Sequence, residues 1–209
     1  MATHPSRLGV TLTPRGARTM SKILEAAGRL FSREGLDRAS MFDVAQAAGV
    51  SKGLLHYHFT SKEHLALEAL GAIFRLVYRR FEDRFARGER GLGTALEAMD
   101  ARWQTVRDLR GQAPFLVETM SLAGREGPLQ AQIDQFYAEA MALLEQGITA
   151  VFRDQPTPIP PDRLARLVRL SLHGLVVELA LARSEAELQR IDAAYADLRR
   201  MLEHYLATA

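Results

Sequence analysis

The sequence predicts an all-α fold, and three observations carry that prediction. Apolar residues recur at helical spacing along the chain while no stretch alternates convincingly as a strand. Clusters of Gly and Pro divide this pattern into about nine blocks. The last block has a regular apolar stripe, Leu188, Ile191, Tyr195, Leu198, Leu202 and Tyr205, spaced 3, 4, 3, 4 and 3 residues apart, as in a helix-bundle seam.

The first helix presents Ile23, Ala27, Leu30 and Phe31 on one face and ends near Gly35. Ser40 is placed as the N-cap of a short second helix running to Ala48, with Asp43 where a capping-box acid belongs. Gly49 centres a turn, and a third short helix covers residues 51–58. Two short helices joined by a glycine turn make a helix-turn-helix, whose second helix enters a DNA major groove. A fourth helix starts at Thr60 or Ser61 and runs to about Arg87, where the glycine-rich stretch 87–93 breaks it. The fifth helix is expected to open at the Thr94-x-x-Glu97 capping box and run to about Arg110; the sixth covers roughly 114–123. Residues 124–128 separate it from the seventh, with Pro128 well suited to a first turn and apolar residues continuing to Val151. Residues 154–161 are the clearest loop, the eighth helix covers about 162–183, and Ser184-x-x-Glu187 opens the ninth.

The eighth helix is apolar on most sides, with Leu164, Leu167, Val168, Leu170, Leu172, Leu175, Val176, Val177, Leu179 and Leu181 around it. Such a helix must be covered on most sides, either by its own chain alone or by its own chain and a second copy. The candidate dimer contacts are Leu164, Val168 and Leu175, together with Leu188, Ile191, Tyr195, Leu198, Leu202 and Tyr205.

At 209 residues the chain is long enough for one or two domains with a substantial core, and its 47% apolar and 25% charged residues are ordinary for a globular protein. The absence of cysteine excludes a disulfide framework, a thiol nucleophile and a Cys-based metal site. No apolar run approaches the roughly 18 residues that span a bilayer. The first 14 residues lack the apolar core of a secretory signal, so a cytoplasmic location without membrane contact is expected. The net charge of +2 is uneven: residues 1–70 hold nine basic and six acidic residues, the remainder 18 and 19. A basic N-terminal part on a near-neutral body suits a DNA-facing domain. All three lysines, Lys22, Lys52 and Lys62, lie in that part, a pattern that an arginine-favouring composition elsewhere in the chain also produces.

Residues 17–77 resemble the DNA-binding domain of the TetR family of bacterial transcriptional regulators. The resemblance rests on Phe31-Ser-Arg-Glu-Gly35, on Leu36-Asp-Arg-Ala-Ser-Met-Phe-Asp-Val-Ala45 and Ala48-Gly-Val-Ser-Lys-Gly53, and on His58-Phe59, Ser61-Lys62-Glu63 and Leu65. It departs from the family's usual pattern at Leu54-Leu55-His56, where Thr-Leu-Tyr is common, and at Phe42, where a polar or basic residue is frequent. The resemblance implies a flexible arm over 1–14, a DNA-binding domain over 15–77 and a regulatory and dimerisation domain over 78–209. It further implies a homodimer that pairs the eighth and ninth helices, and a repressor released from a near-palindromic operator by a small hydrophobic effector. Two alternatives stay open: a regulator that is constitutive or answers to a protein partner, and an all-α enzyme that has kept a helix-turn-helix.

Phosphate-contact candidates are Ser40 and Met41, at a helix start whose free N–H groups favour an anion, Lys62 at the start of the fourth helix, and the donors Tyr57 and His58. The resemblance marks the positions of Met41, Tyr57, His58 and Lys62 as phosphate contacts, Met41 through its backbone N–H alone. Base-reading candidates are Ser51, Lys52 and His56 on the third helix and Phe42 on the second. Lys52 can donate to guanine O6 and N7, Leu54 can touch a thymine methyl, and Gly53 lets the backbone come close. The alternative for each is a solvated surface side chain. His56 and His58 lie two residues apart, pointing about 200° apart on a helix, and so do not chelate one ion. No metal or cofactor is expected.

In the body no phosphate loop, H-E-x-x-H or G-x-S-x-G motif occurs, and no catalytic set is assembled. Polar and aromatic residues embedded in apolar helices are the effector-site candidates: Trp103, Gln104, Glu118, Met120, Phe136, Tyr137, His173 and Glu178. Core packing or a salt bridge at the dimer contact accounts for each of them as well.

Overall fold

The computed structural model describes residues 13–86, 90–122, 128–152 and 157–207. Among them the chain is all-α, with nine α-helices and one 3-10 turn. The expected N-terminal arm lies almost wholly outside these residues, as do parts of the expected breaks at 87–93, 124–128 and 154–161. Chain contacts divide the molecule into two compact units, Met1–Phe74 with Pro114–Ile133, and Arg75–Ala113 with Asp134–Ala209. The division falls after Phe74, and Pro114–Ile133 belongs with the first unit.

In the first unit α1 (Pro14–Glu34) begins three residues ahead of the stretch that carries the resemblance, because Thr13 caps it. The Thr13 hydroxyl accepts from Gly16 N–H, and Pro14 occupies a first-turn position where its missing N–H is harmless. Ile23, Ala27, Leu30 and Phe31 form its buried face. Gly35 ends the helix at φ 84°, ψ 151°, a conformation only glycine adopts readily. Then come α2 (Met41–Ala48), α3 (Lys52–His58) and the start of α4 (Lys62–Ala86), where Ser61 Oγ accepts from His64 N–H. From α6 (Ala113–Leu122), Phe115 packs against Phe31, with ring centroids 5.3 Å apart. Val44, Leu55, Phe59, Leu65 and Leu70 complete the core.

In the second unit α5 (Gly91–Asp108) leads through the turn Arg110–Gln112, which packs on α8 (Pro161–Leu181). Helix α5 does not start at Thr94. The Thr94 hydroxyl donates to the carbonyl of Arg90 one turn back, which marks an interior position rather than a cap. Helix α7 (Pro128–Val151) supplies Leu144, Ile148 and Val151 to a core shared with Ala98 of α5 and with Leu164 and Ala165 of α8. Helix α9 (Glu185–Ala207) opens at the expected capping box: Ser184 Oγ accepts from Glu187 N–H, and the Glu187 carboxylate accepts from Ser184 N–H at 2.9 Å.

Side-chain bonds fasten α9 to α5. The Trp103 and Tyr195 rings stack 4.9 Å apart, and Trp103 Nε1–H donates to Asp192 at 3.2 Å. Tyr195 O–H donates to Asp100 at 2.6 Å, Arg199 Nε–H donates to the same carboxylate, and Arg107 pairs with Asp192 at 2.8 Å. Burial and the Asp100 carboxylate push the Tyr195 hydroxyl well above its ordinary pKa, so it stays a donor.

Candidate nucleic-acid interface

The helix-turn-helix is built from local bonds that its sequence dictates. Ser40 Oγ accepts from Asp43 N–H at 3.2 Å, and the Asp43 carboxylate accepts from Ser40 N–H at 3.0 Å, a complete capping box. These hydrogen bonds from Ser40 hold the Asp43 carboxyl below its ordinary range. Gly49 takes φ 67°, ψ 36°, and its N–H closes α2 on Ala45 and Gln46. Ser51 then caps α3 by accepting from Leu54 N–H at 3.1 Å. Leu55 is fully buried and turns α3 inward at that point. Gly53 and Tyr57 therefore face away from the core, with Leu54 and His56 on the flanks.

The candidate DNA-contacting residues are mostly on the surface. Phe42 is 59% exposed, Tyr57 56% and Leu54 37%. Ser40, Ser51, Lys52, Gly53 and His56 are exposed, and Met41, His58 and Lys62 are half-buried. Lys62 Nζ donates to the Asp37 carbonyl at 2.9 Å, which ties the start of α4 to the loop before α2. The His58 ring meets Tyr57 edge-on at 5.0 Å, and burial holds its imidazole below the ordinary 6.5.

The eight effector-site candidates are drawn from both units. Glu118 and Met120 belong to the first unit, the other six to the second. Both Glu118 oxygens accept from Leu36 N–H at 3.0 Å, so this carboxylate holds the α1–α2 connection. Trp103 stacks on Tyr195, and exposed Gln104 donates to Asp108. Tyr137 meets Phe136 at 6.2 Å and His173 at 5.9 Å, both edge-on. Glu178 lines an open groove of about 390 Å³ with Leu175, Glu187 and Arg190.

A separate, partly open cavity of about 50 Å³ is lined by α5, α7, α8 and α9, with Leu96, Met99, Leu144, Ile148, Leu164 and Leu172 among its walls. None of the eight candidates lines it; its polar wall is the buried Arg102, which the sequence reading passed over. Burial and the positive charges of Arg169 and Arg102 depress the His173 imidazole to about 4.

The expected dimer contacts divide as well. Leu164, Leu175, Ile191 and Tyr195 are buried within the chain itself, and Val168, Leu188, Leu198 and Leu202 are half-buried; Tyr205 is exposed. The apolar residues that α8 leaves exposed are others: Leu167, Leu170, Val177 and Leu181. Among the described residues no group of His, Asp and Glu is arranged to hold a metal, and no helix is long and apolar enough to cross a membrane.

A family model described as bacterial regulatory proteins, tetR family, matches residues 23–69, which contain the whole helix-turn-helix. The HTH-type transcriptional repressor KstR2 of Rhodococcus jostii is 31% identical over 109 residues, 49% of this chain, and the match spans about half (52%) of that relative's length. The HTH-type transcriptional regulator UidR of Escherichia coli is 28% identical over 191 residues, covering 88% of this chain and 91% of the relative. A crystal structure of a putative TetR-family regulator from Rhodococcus superposes with a TM-score of 0.71 at 20% identity, over 91% of this chain and 99% of that one, and so shares its fold. The capped helix-turn-helix thus lies wholly inside the segment, residues 23–69, that is similar to the bacterial regulatory proteins of the tetR family.

Proposed function

We propose that this protein is a sequence-specific DNA-binding transcriptional repressor, not an enzyme, that works in the cytoplasm as a homodimer. The observation that carries the reading is the pair α2 and α3, capped at Ser40 and Ser51 and closed at Gly49, with Gly53, Leu54 and Tyr57 turned outward. Lys52 and His56 join these on the reading face. Backbone N–H groups at Ser40 and Met41, with Tyr57, His58 and Lys62, take the phosphates on either side. Lys62 has two ammonium protons left after its bond to Asp37 and can serve both partners.

The second copy docks on the exposed apolar face of α8. Leu167, Leu170, Gly174, Val177 and Leu181 are spaced 3, 4, 3 and 4 residues apart, a seam with a glycine at its middle that lets two helices approach. On α9 the large apolar residues left exposed are Met201 and Tyr205. A small apolar effector enters the cavity beside Arg102. At about 50 Å³ the cavity is far below the 300 Å³ or more of a drug-sized site, so such a ligand has to part its walls. That movement gives the ligand different affinities for two states of the protein, without which it shifts nothing.

Selection of bound duplexes from a random pool tests the reading. The expected product is an inverted repeat with half-sites about one helical turn apart. Recovery of no sequence above the starting pool would refute it.

A further inference from the structure

Helix α3 carries few of the groups that read base edges. The sequence of α3, Lys-Gly-Leu-Leu-His-Tyr-His, contains no Arg, Asn, Gln, Asp or Glu. Those side chains, with Lys, bond guanine, adenine and cytosine in the major groove, and of this set α3 carries Lys52 alone. Beside the polar Gln46, Lys52 and His56, α2 and α3 expose three large side chains that are wholly or mostly apolar, Phe42, Leu54 and Tyr57. Phe42 and Leu54 have no hydrogen-bonding group in their side chains. One feature of the major groove matches such side chains, the C5-methyl group that thymine alone carries among the four bases. Leu54 flanks Gly53, whose missing side chain lets the α3 backbone come near the floor of the groove. Water leaves the exposed apolar surface only where it meets another apolar group, so a methyl at the right position is favoured over a bare ring carbon.

We infer that this surface selects its DNA in part through thymine methyl groups, with Leu54 and Phe42 as the apolar partners. The inference rests on the DNA-binding reading above and adds which base chemistry is recognised.

The test replaces thymine by deoxyuridine, one position at a time, in a duplex recovered by selection. The replacement keeps base pairing and every hydrogen-bonding group and removes only the methyl. Affinity of the full-length protein is measured by fluorescence anisotropy. The expected result is a loss of about fourfold per methyl at one or two positions in each half-site, and more than tenfold when both half-sites are changed. Leu54→Ala or Phe42→Ala, each at an exposed position that leaves the core intact, is expected to bind the thymine duplex more weakly and to lose the uracil penalty at its own position. Equal binding to thymine and uracil duplexes at every position overturns the inference while leaving DNA binding in place. So does a penalty that survives unchanged in both variants. Failure to recover any duplex overturns the DNA-binding reading itself, and the inference with it.

Discussion

Gly49 shows how closely the turn depends on one residue. It sits in the left-handed region at φ 67°, and an added Cβ would meet nothing within 4 Å, so the penalty for a side chain is conformational rather than steric crowding. Gly49→Ala is expected to destabilise the protein by about 1–2 kcal/mol, read as a lower urea midpoint at unchanged slope. Two lysines separate positioning from reading. Lys62→Ala should weaken binding to all sequences alike and flatten the dependence of log affinity on log salt by about 1. Lys52→Ala should relax preference at one base pair per half-site and leave the others intact. A Lys62→Ala variant that altered sequence preference with an unchanged salt slope would show the phosphate assignment to be wrong.

At the scale of elements, the capped starts of α2 and α9 were legible because Ser40 with Asp43 and Ser184 with Glu187 make reciprocal bonds within four residues of chain. The same pattern at Thr94 and Glu97 misled, since Gly91 had already opened the helix and the Thr94 hydroxyl turns back onto Arg90. A short motif does not reveal whether the turn before it is already helical. The reading helix was legible for the same local reason that its caps were. The second unit was not. Its cavity is walled by ordinary Leu, Ile and Met side chains that come together only on packing, while its conspicuous polar residues have structural partners, Trp103 with Asp192 and Tyr195 with Asp100. Helix α8 is apolar all round in sequence, so only burial tells which side faces out: Leu164 and Leu175 point inward, Leu167 and Leu170 outward. Leu170→Glu places a charge in the proposed seam without disturbing the core. It should convert a dimer to a monomer in sedimentation velocity, whereas an unchanged dimer would move the contact to another face.

For the whole molecule, stability should fall in mild acid. His173 titrates near 4 in the folded chain against an ordinary 6.5, because it is partly buried and faces Arg169 and Arg102. The unfolded chain therefore binds a proton first as pH falls. The stability present above pH 6.5 is lost progressively towards pH 4, by about 3 kcal/mol at roughly 1.4 kcal/mol per pH unit. His173→Gln should remove that part of the slope in urea titrations between pH 7 and 4; an unchanged slope would assign the acid sensitivity to other groups. Sequence-specific recognition is the property that makes every other part of the molecule useful. It is measured most directly as the ratio of affinities for a selected duplex and for a shuffled duplex of the same composition, at one fixed salt concentration. The expected ratio is at least about 1,000 for the wild-type protein, falling sharply in Lys52→Ala, and equal affinity for the two duplexes would contradict the account.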